Sequence, residues 1–515
     1  MPWTSTFIDE LEQDRLTPFY VLEAVEIPIQ DPFPTSSPAL GFSSLHGEAN
    51  NTIMREGSSV SPGLLRLRTW GYSAGGVVVA VTNASDARRV ARRGQAVRLL
   101  VGFTPDRAEM ETVALGTVTN ITRVGGQCRI EIRDLLGALT SRITTNGAHG
   151  ALFHDQLQTT LAQLFVPGLP GASMTVVSGA LLRPSPDGLY YVKVTGNGGE
   201  DFVMSATGLT VATNTLTGVS AAALFGTTED TASPGNACVE VIVIDDHPIR
   251  AAKAILVSTG LGTNGFLDGL PESCGFGIPA EHVAESDMEA FIDLTDLVGH
   301  SDNWQLVLDQ PIANPKGFLD GWLASGGYFL AMHQGAITCR GIVDAVPAND
   351  TPYTFDLTDG HIGKIDRYET WDSRNPVEYA EIRVFRNDGV QVSAETGDTE
   401  NIPARDRIDI AMAGVYSDTT DAAFIGQLVR LRLQRWHFES PEVLFLTLRG
   451  WSAAKVSPGS LVRLEIGILK DRDGYVWEKR RALVMQCAPD WFGASTRMVI
   501  AVLPADILTV VTATA

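Results

Sequence analysis

The sequence predicts an α+β, mainly β fold: two related small antiparallel β-barrels flanking a helical, α+β middle region, with a β-rich insertion. Three observations predict it. The first is a repeat. Residues 94–103 read GQAVRLLVGF and residues 459–468 read GSLVRLEIGI, both fitting Gly-x-x-Val-Arg-Leu-x-x-Gly followed by an apolar residue. The second is the setting of each copy. An apolar run precedes it (VVVAV at 77–81, VLFLTL at 443–448), and a polar turn and alternating strand follow it, the pattern of a small barrel with inward and outward residues alternating. The third is a change of period between the copies, where apolar residues take helical spacing.

Taken in order, residues 1–30 read as an N-terminal arm and 31–145 as the first barrel, with nearly continuous strand and turn from Leu64 to Asp134. Residues 146–170 form a helical connector, because FHDQLQTTLAQLF at 153–165 is spaced for one apolar face and Pro167 and Pro170 follow. The stretch 171–244 is rich in Gly, Thr, Ser and Val and poor in charge. It reads as the β insertion, with PSPDG and GNGGED as its turns.

The α+β middle domain spans 245–360. Its first helix, DHPIRAAKAILVSTG, takes Asp246 as N-cap and Pro248 in the first turn. A helix near 279–291 and another in PKGFLDGWLASGG precede a hairpin, YFLAMHQGAITCRGI, turning at His333–Gly335. Residues 361–440 supply strands, a loop and a long helix at 418–436, and 441–515 the second barrel. Trp70, Trp436, Trp451 and Trp491 lie in or beside the two barrels and are expected to fill their cores.

Composition narrows the function. A chain of 515 residues holds several cores. Its apolar content of 44% against 19% charged residues is that of a globular protein. A net charge of −21 argues against a sequence-independent grip on nucleic acid. The charge is uneven: 344–421 holds 17 acidic and 7 basic residues, whereas 422–483 holds 6 and 11. Such a contrast favours head-to-tail contacts between copies or decorates solvated faces. The five cysteines are scattered, with no Cys-x-x-Cys pair, and are expected to be reduced and mostly buried. The N-terminus, MPWTSTFIDELEQDRL, has early carboxylates and no apolar core of a secretory signal. The C-terminal MVIAVLPADILTVV is too short and too interrupted to span a bilayer, so no stable membrane insertion is expected.

Three motifs suggest chemistry. Gly71-Tyr72-Ser73-Ala74-Gly75 matches a nucleophile elbow, but a strand follows where a helix is required. Gly260-Leu261-Gly262-Thr263-Asn264-Gly265 matches a dinucleotide fingerprint in the wrong order, helix before and irregular chain after. Asp245-Asp246-His247 offers adjacent ligands only, a poor geometry for one ion, and capping accounts for Asp246. No catalytic, cofactor-binding or metal residue is therefore assigned, and no cofactor is expected. A carbohydrate-active hydrolase using an Asp/Glu pair stays open as the alternative, because carboxylate separation is not visible in sequence. A surface adhesin is a second rival.

The order of elements resembles the baseplate or tail-tip hub proteins of tailed bacteriophages with siphophage-like tails. Three segments carry the resemblance: Gly116 to Asp134 with its G-x-V-x-x-I and I-x-I-R-D, the middle segment from PIRAAKAILVSTG to GAITCRGI, and the closing VSPGSLVRLEIG. It covers most of the chain except 171–244 and the first thirty or so residues. The resemblance implies a non-enzymatic structural protein of the virion, assembled in the host cytoplasm. It implies a homotrimer whose paired barrels form a pseudo-sixfold collar, joining a distal tail protein or tail tube ring to a threefold tip. The implied partners are those rings, the tape-measure protein and a central fibre or tail fibres, with DNA only as passing cargo through the channel. No individual binding residue transfers.

Overall fold

The computed structural model describes residues 3–13, 17–25, 41–43, 53–61, 63–66, 71–82, 93–139, 158–169, 171–182, 184–185, 187–221, 223, 231–257, 266–267, 270–271, 278–296, 305–308, 315–325, 328–341, 345–347, 353–370, 379–386, 391–396, 407–417, 442–470, 476–502 and 509–511. The fold is mainly β, as expected. The repeat GQAVRLLVGF falls on a strand in the first of its sheets. Helix α1 (Ser5–Leu11) precedes β1 (Phe19–Ala24), β2 (Gly41–Ser43), β3 (Ile53–Ser61), β4 (Leu64–Arg66), β5 (Gly71–Ser73), β6 (Gly76–Val81), β7 (Ala96–Gly102), β8 (Glu111–Val124) and β9 (Gln127–Asp134). Seven of these strands form one curled sheet in the order β2-β1-β7-β8-β9-β6-β3, and β4 and β5 pair as a hairpin.

The N-terminal segment is not a free arm. β1 is laid antiparallel along β7 from Phe19↔Gly102 to Ala24↔Val97. Its alternation is masked because residues 20–23 are buried on both sides, so no strand period marks it.

After α2 (Leu135–Ala138) come β10 (Gln158–Thr160), β11 (Ala172–Thr175), β12 (Tyr190–Thr195), β13 (Asp201–Thr210), β14 (Thr215–Val219) and β15 (Ala237–Asp245). The helix expected at 153–165 is absent from its described part. β10 pairs β15, and just beyond it Leu161 bridges Val176 at the end of β11. Because 160–162 bond on both sides, the order β15-β12-β13-β14-β11 closes on itself and the insertion is a third barrel. Leu161 and Phe165, four apart and so helical by spacing, both point into its core beside Phe202 and Met204. Closing the sheet removes its exposed edges, a gain that outweighs local helix preference.

The middle region holds α3 (Pro248–Val257), the short strands β16 (Phe266–Leu267) and β17 (Leu270–Pro271), α4 (Glu285–Asp296), β18 (Gln305–Leu308) and α5 (Pro315–Ser325). The hairpin β19 (Tyr328–His333) and β20 (Ala336–Gly341) and the strand β21 (Ala345–Pro347) follow. Eight of the ten α3 residues are buried. They share one core with Trp322 of α5, with Leu65 of the β4–β5 hairpin, with Leu115 of the first sheet and with Val443 and Leu483 near the C-terminus. The helices thus wedge between the two barrels of their own chain.

Asp246 is not the cap of α3. His247 is: its carbonyl accepts the first helical bond from Ala251 and its Nδ1 accepts from Ile249 N–H at 3.2 Å. Pro248 then occupies the first helical position, where a missing N–H costs nothing. The helix expected at 418–436, with Trp436, lies outside the described residues, as do Trp70 and Gly260–Gly265.

The last sheet is β22 (Tyr353–Thr358), β23 (Ile362–Thr370), β27 (Glu442–Arg449), β28 (Leu461–Lys470), β29 (Val476–Asp490) and β30 (Ser495–Val502), ordered β22-β28-β29-β30-β27-β23. Between them β24 (Tyr379–Arg386), β25 (Gln391–Thr396) and β26 (Arg407–Ser417) extend the sheet of β15 through β18, and β31 (Thr509–Val511) pairs β21. The outermost strands β22 and β23 are joined by Asp359–His361 alone. Four peptide steps reach ~14 Å at most, so the sheet curls until its two edges meet. The second barrel therefore begins at 353, not 441. β22 and β23 are distant in sequence from β27–β30, and pairing with β28 and β27 together with burial of Leu357 and Ile362 in the common core recruits them.

Candidate functional site

The repeat is structural as well as sequential. Gly94 and Gly459 open it with φ of +86° and +87°, a backbone that glycine adopts without penalty. Gly94 N–H donates to Val118 C=O at 2.7 Å and Val118 N–H returns to Gln95 C=O at 2.9 Å. Gly459 N–H donates to Val484 C=O at 2.8 Å and Val484 N–H to Ser460 C=O at 2.9 Å. Val118 then pairs Ile132, as Val484 pairs Ile500, and each pairing is followed by a register shift at the same place. Such bulges bend a strand where it must wrap a core. The strands β3, β6, β7, β8 and β9 thus correspond to β23, β27, β28, β29 and β30, in the same order along the chain and across the sheet.

The shared arginine also has one job in both. Arg98 on β7 lies opposite Glu23 on β1, its Nε 2.5 Å from Oε1. Arg463 on β28 lies opposite Asp356 on β22, its Nε 2.9 Å from Oδ1. Each arginine ties on the strand that flanks the repeat, a cross-strand pair of opposite charge. The flanking strands run in opposite senses, β1 antiparallel and β22 parallel to its neighbour. A side-chain tie tolerates that difference where a copied backbone register would not.

The two barrels meet at an aromatic joint. Trp451 and Trp491, 4% and 3% exposed, do not fill the second barrel's core as expected; they belong to the core cluster of the first. They stack at 6.1 Å. Trp3, just before α1, and Phe7, within it, pack on Trp491 at 5.8 and 6.3 Å, Phe103 on Trp451 at 5.6 Å, and Tyr20 on Phe492 at 4.9 Å. Tyr20 Oη donates to Trp491 C=O at 2.7 Å, Trp451 Nε1 to Asp490 C=O at 3.0 Å and Gln486 Nε2 to Gly63 C=O at 2.8 Å. Burial pushes the Tyr20 phenol up to about 12. Trp3 Nε1, which donates to Thr112 C=O at 2.9 Å, Trp451 Nε1 and Tyr20 Oη each have a partner, the condition for burying Tyr and Trp without loss.

Beside the joint lies a cavity of about 110 Å³, walled by both barrels and by the β19–β20 hairpin through His333 and Gly335. Its one lining carboxylate is Asp134, the N-cap of α2, whose Oδ1 accepts from Gly137 N–H at 3.0 Å and whose Oδ2 accepts from Gly75 N–H. Burial raises it to about 6, against the pull of those two amides and of Arg133 and Lys316. Burial lowers His333 to about 4, with Asp287 opposing and Arg340 assisting. Despite its own burial, Asp287 is held low by Arg340, whose Nε lies 2.9 Å away. A lone carboxylate satisfied by amides lacks the second carboxyl that acid–base glycoside chemistry uses.

The motif residues are dispersed. Ser73 ends β5 and its hydroxyl accepts from Leu64 N–H at 2.9 Å, with strand β6 two residues on, so the elbow geometry is missing. Asp246 accepts from His247 N–H at 2.7 Å and lies 3.7 Å from Arg250. Among the described residues no three His, Cys, Asp or Glu side chains group as a metal site. Cys128, Cys238 and Cys339 are buried free thiols and Cys487 is half-buried. Among the described residues no helix is long and apolar enough to cross a membrane. Sequence reading missed the joint because Trp3, Tyr20 and Phe103 are ordinary apolar positions until Trp491 is seen against them. The available signal was the adjacent aromatic pair Trp491–Phe492 on a turn, with Trp451 just before the second copy of the repeat and Phe103 ending the first.

No protein-family model matches the chain, and no curated protein sequence matches it significantly. Among solved structures it is similar to the 43 kDa tail protein of prophage MuSo2 from Shewanella oneidensis, at 12% identity and TM-score 0.37, over 95% of this chain and all of that one. It is also similar to a chain of the native gene transfer agent virion, at 12% identity and TM-score 0.27 over 39% of this chain and 42% of that one. A third similarity is to a chain of the p2 virion baseplate in its activated conformation, at 12% identity and TM-score 0.15, covering 68% and 89%. At TM-scores of 0.37 and below the superpositions are loose, and the duplicated barrels alone carry the reading that follows.

Proposed function

We propose that the chain is a structural virion protein, a trimeric baseplate or tail-tip hub of a tailed bacteriophage. The observation that supports this is the duplication: one chain carries two barrels with five strands in the same order, joined through a buried aromatic cluster. Three such chains present six similar barrels while keeping threefold symmetry. That resolves a mismatch between a sixfold tail tube or distal tail ring and a threefold tip by geometry, without chemistry. The tape-measure protein and a central fibre contact the inner and distal sides, and DNA passes through the lumen as cargo. The acidic balance of −21 suits a channel that must not retain DNA. The third barrel, near 158–245, stands outside the duplicated pair and is available to fibres.

The test is an electron-microscopy reconstruction of the particle that carries this protein. Three copies at the tail tip, with six barrels in one collar, is the expected result. A single copy, or a dimer with a cleft lined by paired carboxylates, overturns it in favour of a hydrolase.

A further inference from the structure

The joint within the chain is head to tail. The second barrel contributes the end that carries its β29–β30 hairpin and β27–β28 connection, Asp490–Phe492 and Trp451. The first barrel contributes the opposite end, where β7 finishes, β8 starts and β3 finishes, through Phe103, Ala114 and Val60. One head and one tail are thereby used, and among the described residues the complementary pair takes no part in this joint: the β8–β9 hairpin end of the first barrel and the β23 end of the second.

Matching the registers shows what these two ends are. Val77 pairs Val60 and Ile132, and its counterpart Leu444 pairs Tyr368 and Ile500, so Tyr368 occupies the place of Val60. Likewise Val124 and Asp490 are the last paired residues before the β8–β9 and β29–β30 turns. Val60 lines the cavity against Trp491, and Asp490 sits in the joint. Their duplicates are exposed apolar side chains, Val124 at 48% and Tyr368 at 42%. Among the described residues of the two duplicated barrels these are the large hydrophobic side chains left exposed, one at each of these ends.

We propose that the Val124–Gly126 hairpin of one copy docks on the Tyr368 end of the second barrel of the next copy, repeating between chains the joint made within one. The proposal rests on the hub reading above and names the surfaces that build the collar. A head-to-tail contact leaves a new head and tail after each addition, and it closes into a ring when its rotation divides a full turn. The tips differ in weight. The intrachain tip carries Trp491 and Phe492, whereas the β8–β9 tip is Gly125-Gly126. The chain therefore folds its own two barrels together first, and the contact between copies is the weaker one, formed on assembly.

The test places cysteines at both ends, V124C with Y368C, in the full chain, and treats assembled particles and the concentrated chain with a short bis-maleimide. The double variant yields a covalent ladder ending at the closed trimer. Each single variant and the native chain yield none, and a mixture of the two single variants stops at dimers. A reconstruction with several copies around the axis but no ladder overturns this contact while leaving the hub reading in place. Linkage in V124C alone overturns it too, since that is a tip-to-tip contact. One copy per particle without linkage removes both.

Discussion

At the residue scale, the two opening glycines share a torsion but not a neighbourhood. A Cβ on Gly94 meets nothing within 4 Å, whereas one on Gly459 meets Phe329 at 2.9 Å and Arg340 at 3.1 Å. Gly94→Ala therefore carries only the left-handed backbone penalty, about 1–2 kcal/mol. Gly459→Ala carries that and the clash with the β19–β20 hairpin, and thermal unfolding should show the larger loss at 459. The paired arginines differ in the same way. Glu23 is 7% exposed and Asp356 is exposed, so Arg98→Met leaves a buried carboxylate with Arg107 alone, while Arg463→Met frees a solvated one. Chemical denaturation should give about 1–3 kcal/mol for the first and under about 1 kcal/mol for the second.

Two buried groups at the cavity give a pH signature with opposite signs. Asp134 is raised to about 6 when folded, so it favours the fold most below the usual carboxylate range, and that contribution is lost as pH rises through 6. His333 is lowered to about 4, so its contribution is present above the ordinary histidine range and is lost as pH falls through 4. Relative to the native chain, Asp134→Asn should gain melting temperature as pH rises from 4 to 6. His333→Gln should gain as pH falls from 6.5 to 4. Parallel curves for the native chain and both variants would mean that neither side chain titrates in the window.

At the element scale, the joint depends on short connections rather than on the strands themselves. Trp451 follows β27 and Trp491 follows β29, both on turns that a β-sheet by itself does not constrain. They are held by Thr496 Oγ1 donating to Gly450 C=O at 2.9 Å and by Asp490 Oδ1 accepting from Gly493 N–H at 3.1 Å. Trp491→Ala should cost about 3–5 kcal/mol and should split one unfolding transition into two, because the barrels keep separate cores once the ring is gone. A single transition shifted as a whole would mean that the middle helices couple the barrels on their own. The insertion behaves differently. Its barrel closes through 160–162, so its strands present few free edges to other chains.

At the scale of the whole molecule, the proposed docking of the Val124–Gly126 hairpin on the Tyr368 end of the next copy makes assembly a property separable from folding. Val124→Asp lies on an exposed hairpin tip, and its melting temperature should match the native chain within the usual range for surface changes, about 0.5 kcal/mol. Its assembly should weaken by an order of magnitude or more, as about 1.4 kcal/mol of lost contact implies, read as the concentration at which the oligomer forms by light scattering. Equal loss of stability and assembly would place Val124 in the fold rather than in the contact.

Legible in the sequence were the mainly β class, the positions of the repeat strands, the helices α3, α4 and α5 and the β19–β20 hairpin. Period, turn residues and glycine torsions are local: Gly94 answers to a torsion, and Val97, Arg98 and Leu99 show the alternation of a strand. It took the tertiary structure to show that Arg98 faces Glu23, that β22 and β23 complete the barrel of β27–β30, that 158–160 is a strand, and that Trp451 and Trp491 belong to the other barrel's core. Tyr20 and Trp491 are 471 positions apart. Burial is non-directional, so an apolar side chain states that it will be covered but not by what. The partner is settled when closed sheets, buried polar atoms and packed rings are satisfied together.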